Sequence, residues 1–126
     1  MIVGIGTDIV QVERIQRALE RTPGFAAKVY TARELEYCAT RSGAQSHAVR
    51  FAAKEALMKA VGTGWAGQVN WLDIEVVPDA RGKPEIQAHN AVRALLDELG
   101  VTRIHLSLSH ERDYATAVVV LENQNA

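Results

Sequence analysis

Apolar positions along this chain recur at helical spacing in the first half and at alternate positions in much of the second. Val12, Ile15, Ala18 and Leu19 form a helical stripe, with Arg14, Arg17 and Arg21 largely off it, so an amphipathic helix with a basic outer face is expected. Leu72, Ile74 and Val76 alternate with Asp73 and Glu75, as Ile104, Leu106 and Leu108 do with His105, Ser107 and Ser109, and both patterns predict half-exposed strands. The opening stretch Ile2 to Thr7 reads as an apolar strand whose glycines permit close backbone approach or an irregular end. Thr22-Pro23 is suited to cap and start a short helix reaching Tyr30. Thr31 to Glu34 has the spacing of a capping box and leads a helix with Leu35 and Cys38 or Ala39 facing inward.

Ser42-Gly43-Ala44-Gln45 breaks that helix as a loop. A longer helix then runs from about His47 to Val61, burying Phe51, Leu57, Met58 and Val61 or a subset of them, with Gly62 and Gly64 ending it. Pro78 to Gly82 predicts a turn and Pro84 to Ala88 a returning strand. Asn90 is the expected cap of a helix through Leu99, with Ala91, Leu95 and Leu99 on its apolar side and Gly100 as its stop. The run Tyr114 to Leu121 pairs with Ile104 to Ser109 as an antiparallel hairpin across His110-Glu111-Arg112-Asp113, and the tail from Glu122 is expected to fray. Strand, helices, strand pair, helix and strand pair, with no repeat or linker, predict one α+β domain over residues 1–126, a largely antiparallel sheet packed with helices.

Charge alters the picture locally. The whole chain carries a formal net charge of -1, yet Glu13 to Lys59 holds 9 bases (Arg14, Arg17, Arg21, Lys28, Arg33, Arg41, Arg50, Lys54, Lys59) against 5 acids (Glu13, Glu20, Glu34, Glu36, Glu55). That excess suits an acidic protein or a phosphate-rich molecule. With few aromatics among the bases, nucleic acid is not expected as a partner. Cys38 is the single cysteine and excludes an intrachain disulfide. Met1-Ile2-Val3 leads directly into a strand pattern, and no apolar run is long enough to span a bilayer, so a soluble cytoplasmic protein without membrane contact is expected.

Candidate chemistry centres on two segments. Asp8 lies in the apolar opening strand, where a carboxylate must face solvent, be paired or bind a metal. In Arg50-Phe51-Ala52-Ala53-Lys54-Glu55-Ala56-Leu57-Met58-Lys59, Glu55 and Lys59 share a helix face in the favourable order. Two carboxylates suffice for magnesium, which keeps waters and completes its shell with phosphate oxygens. His105 and His110 lack a close third ligand for zinc, and Ser107 lacks an orienting group for a serine–histidine nucleophile. Arg81-Gly82-Lys83-Pro84 is either a plain turn or a phosphate contact. His105, Ser107 and Ser109 either face water or bind phosphate.

Taken together, Gly4-Ile5-Gly6-Thr7-Asp8-Ile9-Val10, the Arg50 to Gly64 segment, Gly82-Lys83-Pro84 and His105 to Ala115 resemble the holo-acyl-carrier-protein synthase family, in order and over nearly the whole chain. The resemblance implies the 4'-phosphopantetheinyl transferase fold. It also implies transfer of 4'-phosphopantetheine from coenzyme A to a serine of apo acyl carrier protein, with magnesium, leaving adenosine 3',5'-bisphosphate. By motif position it implies Asp8 and Glu55 as metal carboxylates and Lys59 as the catalytic cation, with Glu55 or a metal-held water taking the serine proton. Arg50, Lys54, Gly82, Lys83, Pro84, His105, Ser107 and Ser109 are the implied coenzyme A contacts, and Arg14, Arg17 and Arg21 the implied carrier-protein contacts, Arg14 foremost. A homotrimer with sites shared between subunits is implied as well. The chain is too short for the duplicated domain of larger transferases and shows no third acidic ligand beside Asp8, so water is expected to complete the metal shell. A magnesium-dependent phosphoesterase or nuclease, and a non-enzymatic basic module for acidic proteins, are the competing readings of the same residues.

Overall fold

Small residues decide how the two halves of the core meet. The computed structural model describes residues 1–62, 65 and 69–125. Strand β1 (Ile2–Gln11) is followed by helices α1 (Val12–Arg21), α2 (Phe25–Val29), α3 (Ala32–Ala39) and α4 (Gln45–Val61). A 3-10 turn at Trp71–Asp73 leads into the hairpin β2 (Ile74–Pro78) and β3 (Pro84–Ala88), then α5 (Asn90–Glu98) and the hairpin β4 (Arg103–His110) and β5 (Tyr114–Glu122). Both sheets are antiparallel, one in the order β1-β5-β4 and the other β2-β3.

The inner face of the three-stranded sheet, carrying Val10, Leu106, Ala115, Ala117, Val119 and Leu121, joins Ala48, Ala52, Ala53, Ala56, Leu57 and Met58 of α4 in one core. An ideal Cβ on Gly4 would lie 2.1 Å from the carbonyl oxygen of Ala60, and one on Gly6 would lie 1.9 Å from that of Ala56. Glycine is therefore required at both positions, and β1 rests directly on the backbone of α4. The opposite sheet face stays open, with Ile5 65%, Ile9 63% and Val118 42% exposed.

The α+β class and the antiparallel pairings agree with the sequence pattern, while several details differ. Helix α4 starts two residues early and buries a row of alanines, leaving Phe51 and Val61 half-buried. Pro23 does not start α2, because Gly24 precedes the helix at φ 79°, a left-handed conformation. In α5 the N-cap is His89, and the buried stripe is Val92 and Leu96 instead of Ala91, Leu95 and Leu99. Asp73 and Glu75 do not face water. They are buried, Asp73 accepting from the Asn90 amide at 3.0 Å and Glu75 accepting from the Thr31 hydroxyl at 2.6 Å. The tail is held as far as Gln124, with Asn123 N–H on the Met1 carbonyl at 2.8 Å and Gln124 N–H on the Thr102 hydroxyl at 2.8 Å. Gly64, the second expected helix stop, lies outside the described residues. Among the described residues no helix is long and apolar enough to cross a membrane.

Candidate active site

The close approach of β1 to α4 is what builds the site. Gly4 abuts Ala60 and Gly6 abuts Ala56, so strand and helix run in opposite senses with two strand residues matching roughly one helical turn. The next inward strand position, Asp8, therefore falls beside the turn that carries Glu55. Helical side chains lean toward the helix N-terminus, which lets Lys59 reach back to this level. Its ammonium lies 3.0 Å from Asp8 Oδ1, with the carboxylate side chain 13% exposed and the lysine 55%. Glu55 stands one turn before Lys59, and its Oε2 accepts from the Trp65 indole N–H at 3.2 Å.

Among the described residues no cluster of three or more His, Cys, Asp or Glu forms a metal cage. Two hard carboxylates, one on β1 and one on α4, fit magnesium, which binds through one or two carboxylates plus water and phosphate oxygens. They do not fit a structural zinc site, which needs four nitrogen or sulfur donors.

Lys54 is not a phosphate contact, contrary to what its motif position implies. It is fully buried, and its ammonium donates to Glu34 Oε1, Val29 O and Ile74 O, each at 2.7 Å, and to Trp71 O at 3.2 Å. Burial pulls its pKa down, and the Glu34 carboxylate opposes that shift. Glu34 itself completes the capping box through Thr31 N–H at 2.9 Å and accepts from Val76 N–H at 3.0 Å. The local spacing of Glu34 after Thr31 encodes only the capping role. Its second role, as counter-charge to Lys54, links α3, α4 and β2 and leaves no local signature. Burial tends to raise the Glu75 pKa, but hydrogen bonds from Thr31 and His89 and the charge of Arg33 outweigh it and hold this carboxyl below its ordinary value.

The remaining predicted residues fall in other places. Arg50 is only 5% exposed, with its guanidinium 4.2 Å from the Tyr37 ring centre and Nη1 donating to Ser46 O at 3.1 Å. It lines a cleft of about 170 Å³ together with Gly82, Pro84 and His110. A larger cleft of about 440 Å³ gathers Lys83, Pro84, Arg93, Arg103 and His105, with Asp79 and Glu85 also at its wall. Asp79 shapes the turn there, its Oδ1 accepting from Arg81 N–H at 2.8 Å and Lys83 N–H at 2.9 Å. His105 Nε2 lies 2.9 Å from Glu122 Oε1, and Ser107 and Ser109 follow on the same open sheet face. Arg93 and Arg103 were not singled out in the sequence, since only the fold brings α5 and β4 to one cleft. Neither cleft is lined by Asp8, Glu55 or Lys59. Arg14, Arg17 and Arg21 are exposed on α1, Arg17 paired with Glu13.

A carboxylate–lysine pair on a glycine-mediated strand–helix contact, with clefts carrying several bases elsewhere on the chain, suits chemistry on a phosphate-rich substrate. The family model described as the 4'-phosphopantetheinyl transferase superfamily matches residues 4–119. A holo-acyl-carrier-protein synthase from Geotalea daltonii is 47% identical over 124 residues, covering 97% of this chain and 99% of that protein. The crystal structure of such a synthase from Neisseria meningitidis superimposes with a TM-score of 0.86 at 43% identity, covering 97% of this chain and 99% of that one. The Bacillus anthracis synthase in complex with CoA (3',5'-ADP) gives a TM-score of 0.81 at 40% identity, covering 98% and 99%. The chain belongs to the holo-acyl-carrier-protein synthase family of these transferases. Its activity is transfer of 4'-phosphopantetheine from coenzyme A to a serine of apo acyl carrier protein, with adenosine 3',5'-bisphosphate as the other product.

Proposed function

We propose that Asp8, Glu55 and Lys59 form the reacting centre of this transferase, within one domain spanning residues 1–126, and that the two carboxylates hold magnesium. The observation that carries this reading is the 3.0 Å pairing of Asp8 with Lys59 across β1 and α4, with Glu55 one turn away. Held by Asp8 and Glu55, magnesium supplies charge neutralisation for the pyrophosphate of coenzyme A. Glu55 takes the proton of the carrier serine, directly or through a water. The serine oxygen bonds to the β-phosphorus, and the bond from that phosphorus to the bridging oxygen breaks. Lys59 stabilises the negative charge gathered on the departing adenosine 3',5'-bisphosphate. Arg14, Arg17 and Arg21 form the exposed basic surface for the acidic carrier, Arg14 without the competing Glu13 pairing that Arg17 has.

Coenzyme A lies between two copies of the chain in this reading. Lys83, Pro84 and His105 line one cleft and Arg50, Gly82 and Pro84 another, while Asp8, Glu55 and Lys59 line neither. The open face of the β1-β5-β4 sheet, with Ile5, Ile9 and Val118 beside Ser107 and Ser109, is apolar enough to be covered by neighbouring copies, and a closed trimer does this without leaving a free face. In this reading the reaction takes place in the cytoplasm, and the lone buried thiol of Cys38 supports that.

Subunit mixing tests the shared site. Asp8→Ala and His105→Ala chains, each weakly active alone, are refolded together at equal amounts. A shared site predicts recovery to about a quarter of wild-type activity, since random mixing in a cyclic trimer leaves about that fraction of sites with both residues intact. Mixed assemblies no more active than the two separate variants overturn the shared arrangement.

A further inference from the structure

Trp65 has no part in the chemistry above, yet it touches that chemistry directly. Its indole N–H, a donor with no acceptor capacity, points at Glu55 Oε2 from 3.2 Å. The ring is held from the other side. Trp65 stacks on Trp71 with centroids 3.8 Å apart and planes at 26°, and Trp71 stacks on Phe51 at 5.1 Å and 23°. Phe51 lies on α4 one turn before Glu55, so this aromatic ladder starts and ends on the helix whose carboxylate it contacts. The backbone carbonyl of Trp71 also accepts from the buried Lys54 ammonium at 3.2 Å, which ties the platform to the rigid interior.

A glutamate carboxylate turns freely about its last bond, with a broad range of orientations. One oxygen fixed by the indole leaves the other in a defined direction. We propose that Trp65 is a positioning residue: it clamps Glu55 Oε2 so that Oε1 is presented to the divalent cation, and it raises cation affinity through Glu55 without touching the substrate. This rests on the reading of Glu55 as a metal carboxylate. Partners of metal-bound carboxylates change affinity by about 10-fold or more when removed. Phe at position 65 would keep the stack and delete only the N–H.

The test uses Mn²⁺ alone as the probe, without coenzyme A or carrier. Trp65 and Trp71 are the chain's 2 tryptophans, so Trp71→Phe makes residue 65 the sole indole emitter. Its emission is expected to be quenched on adding Mn²⁺, with saturation matching Mn²⁺ bound by electron paramagnetic resonance, and to lose that quenching in Trp71→Phe/Glu55→Gln. Trp65→Phe is expected to weaken Mn²⁺ binding by about 10-fold. In turnover it should raise the magnesium concentration for half-saturation while the melting temperature stays near wild type. A loose fold would lower the melting temperature as well, an outcome that overturns the positioning role. Unchanged Mn²⁺ affinity in Trp65→Phe also overturns it, while the metal role of Glu55 stands if Glu55→Gln still loses binding. Wild-type affinity in both variants removes the metal role of Glu55 itself.

Discussion

Asp8→Ala is expected to lower the rate of phosphopantetheine transfer by about 100- to 1,000-fold at saturating coenzyme A and carrier, because it deletes half of the proposed two-carboxylate cation site at the proposed reacting centre. The glycines at 4 and 6 bring β1 directly against α4, which sets Asp8 within reach of Lys59. The stability cost should be small, about 1 kcal/mol or less, since the lysine partner is more than half exposed and solvent screens the pair. Initial rates across a magnesium titration, with a thermal melt beside them, check this. A rate within about threefold of wild type would remove Asp8 from the reacting centre. A collapsed melt would show that the strand, and not the cation site, had been damaged.

Lys54→Met should do the reverse, acting first on stability, with a loss of about 3–5 kcal/mol. Glu34 would be left as a buried carboxylate without its counter-charge, and the carbonyls of Val29, Trp71 and Ile74 would each lose a donor. Glu34→Gln should also be costly. The double variant Lys54→Met/Glu34→Gln should cost less than the sum of the two, because neither charge is then stranded. Urea denaturation of the four proteins measures this. A single-variant loss below about 1 kcal/mol, or strict additivity, would contradict the buried pair as the anchor of α4. Lys54 precedes Glu55 in the chain, so its anchoring sets the rotation of α4 that aims Glu55 outward.

How far such features can be read from sequence depends on the range of the interaction. Glu55 and Lys59 were legible as one helix face, and Asp8 as an anomaly in an apolar strand, because each is a local departure from pattern. The capping box at Thr31 and Glu34 was legible for the same reason. The second bond of Glu34, to Lys54, spans 20 residues and leaves no periodic trace, so Lys54 looked like one more surface base near a phosphate. Glu75 misled in the opposite direction. An acid at an alternate strand position normally faces water, but α3 covers that face, and Thr31 and His89 supply the hydrogen bonds that make its burial tolerable. The buried face of α5 is shifted by one residue, and Asn90 takes φ 49° and bonds Asp73 instead of serving as the cap. The Trp65 contact with Glu55 depends on how the chain returns after α4, which no local spacing encodes.

The most direct measurement is the intact mass of apo acyl carrier protein after incubation with this protein, coenzyme A and magnesium. The account predicts a gain equal to one 4'-phosphopantetheine group with release of adenosine 3',5'-bisphosphate, lost on chelation and nearly lost with Asp8→Ala. No mass gain on any of several apo carriers, or hydrolysis of coenzyme A without modification of the carrier, would contradict it.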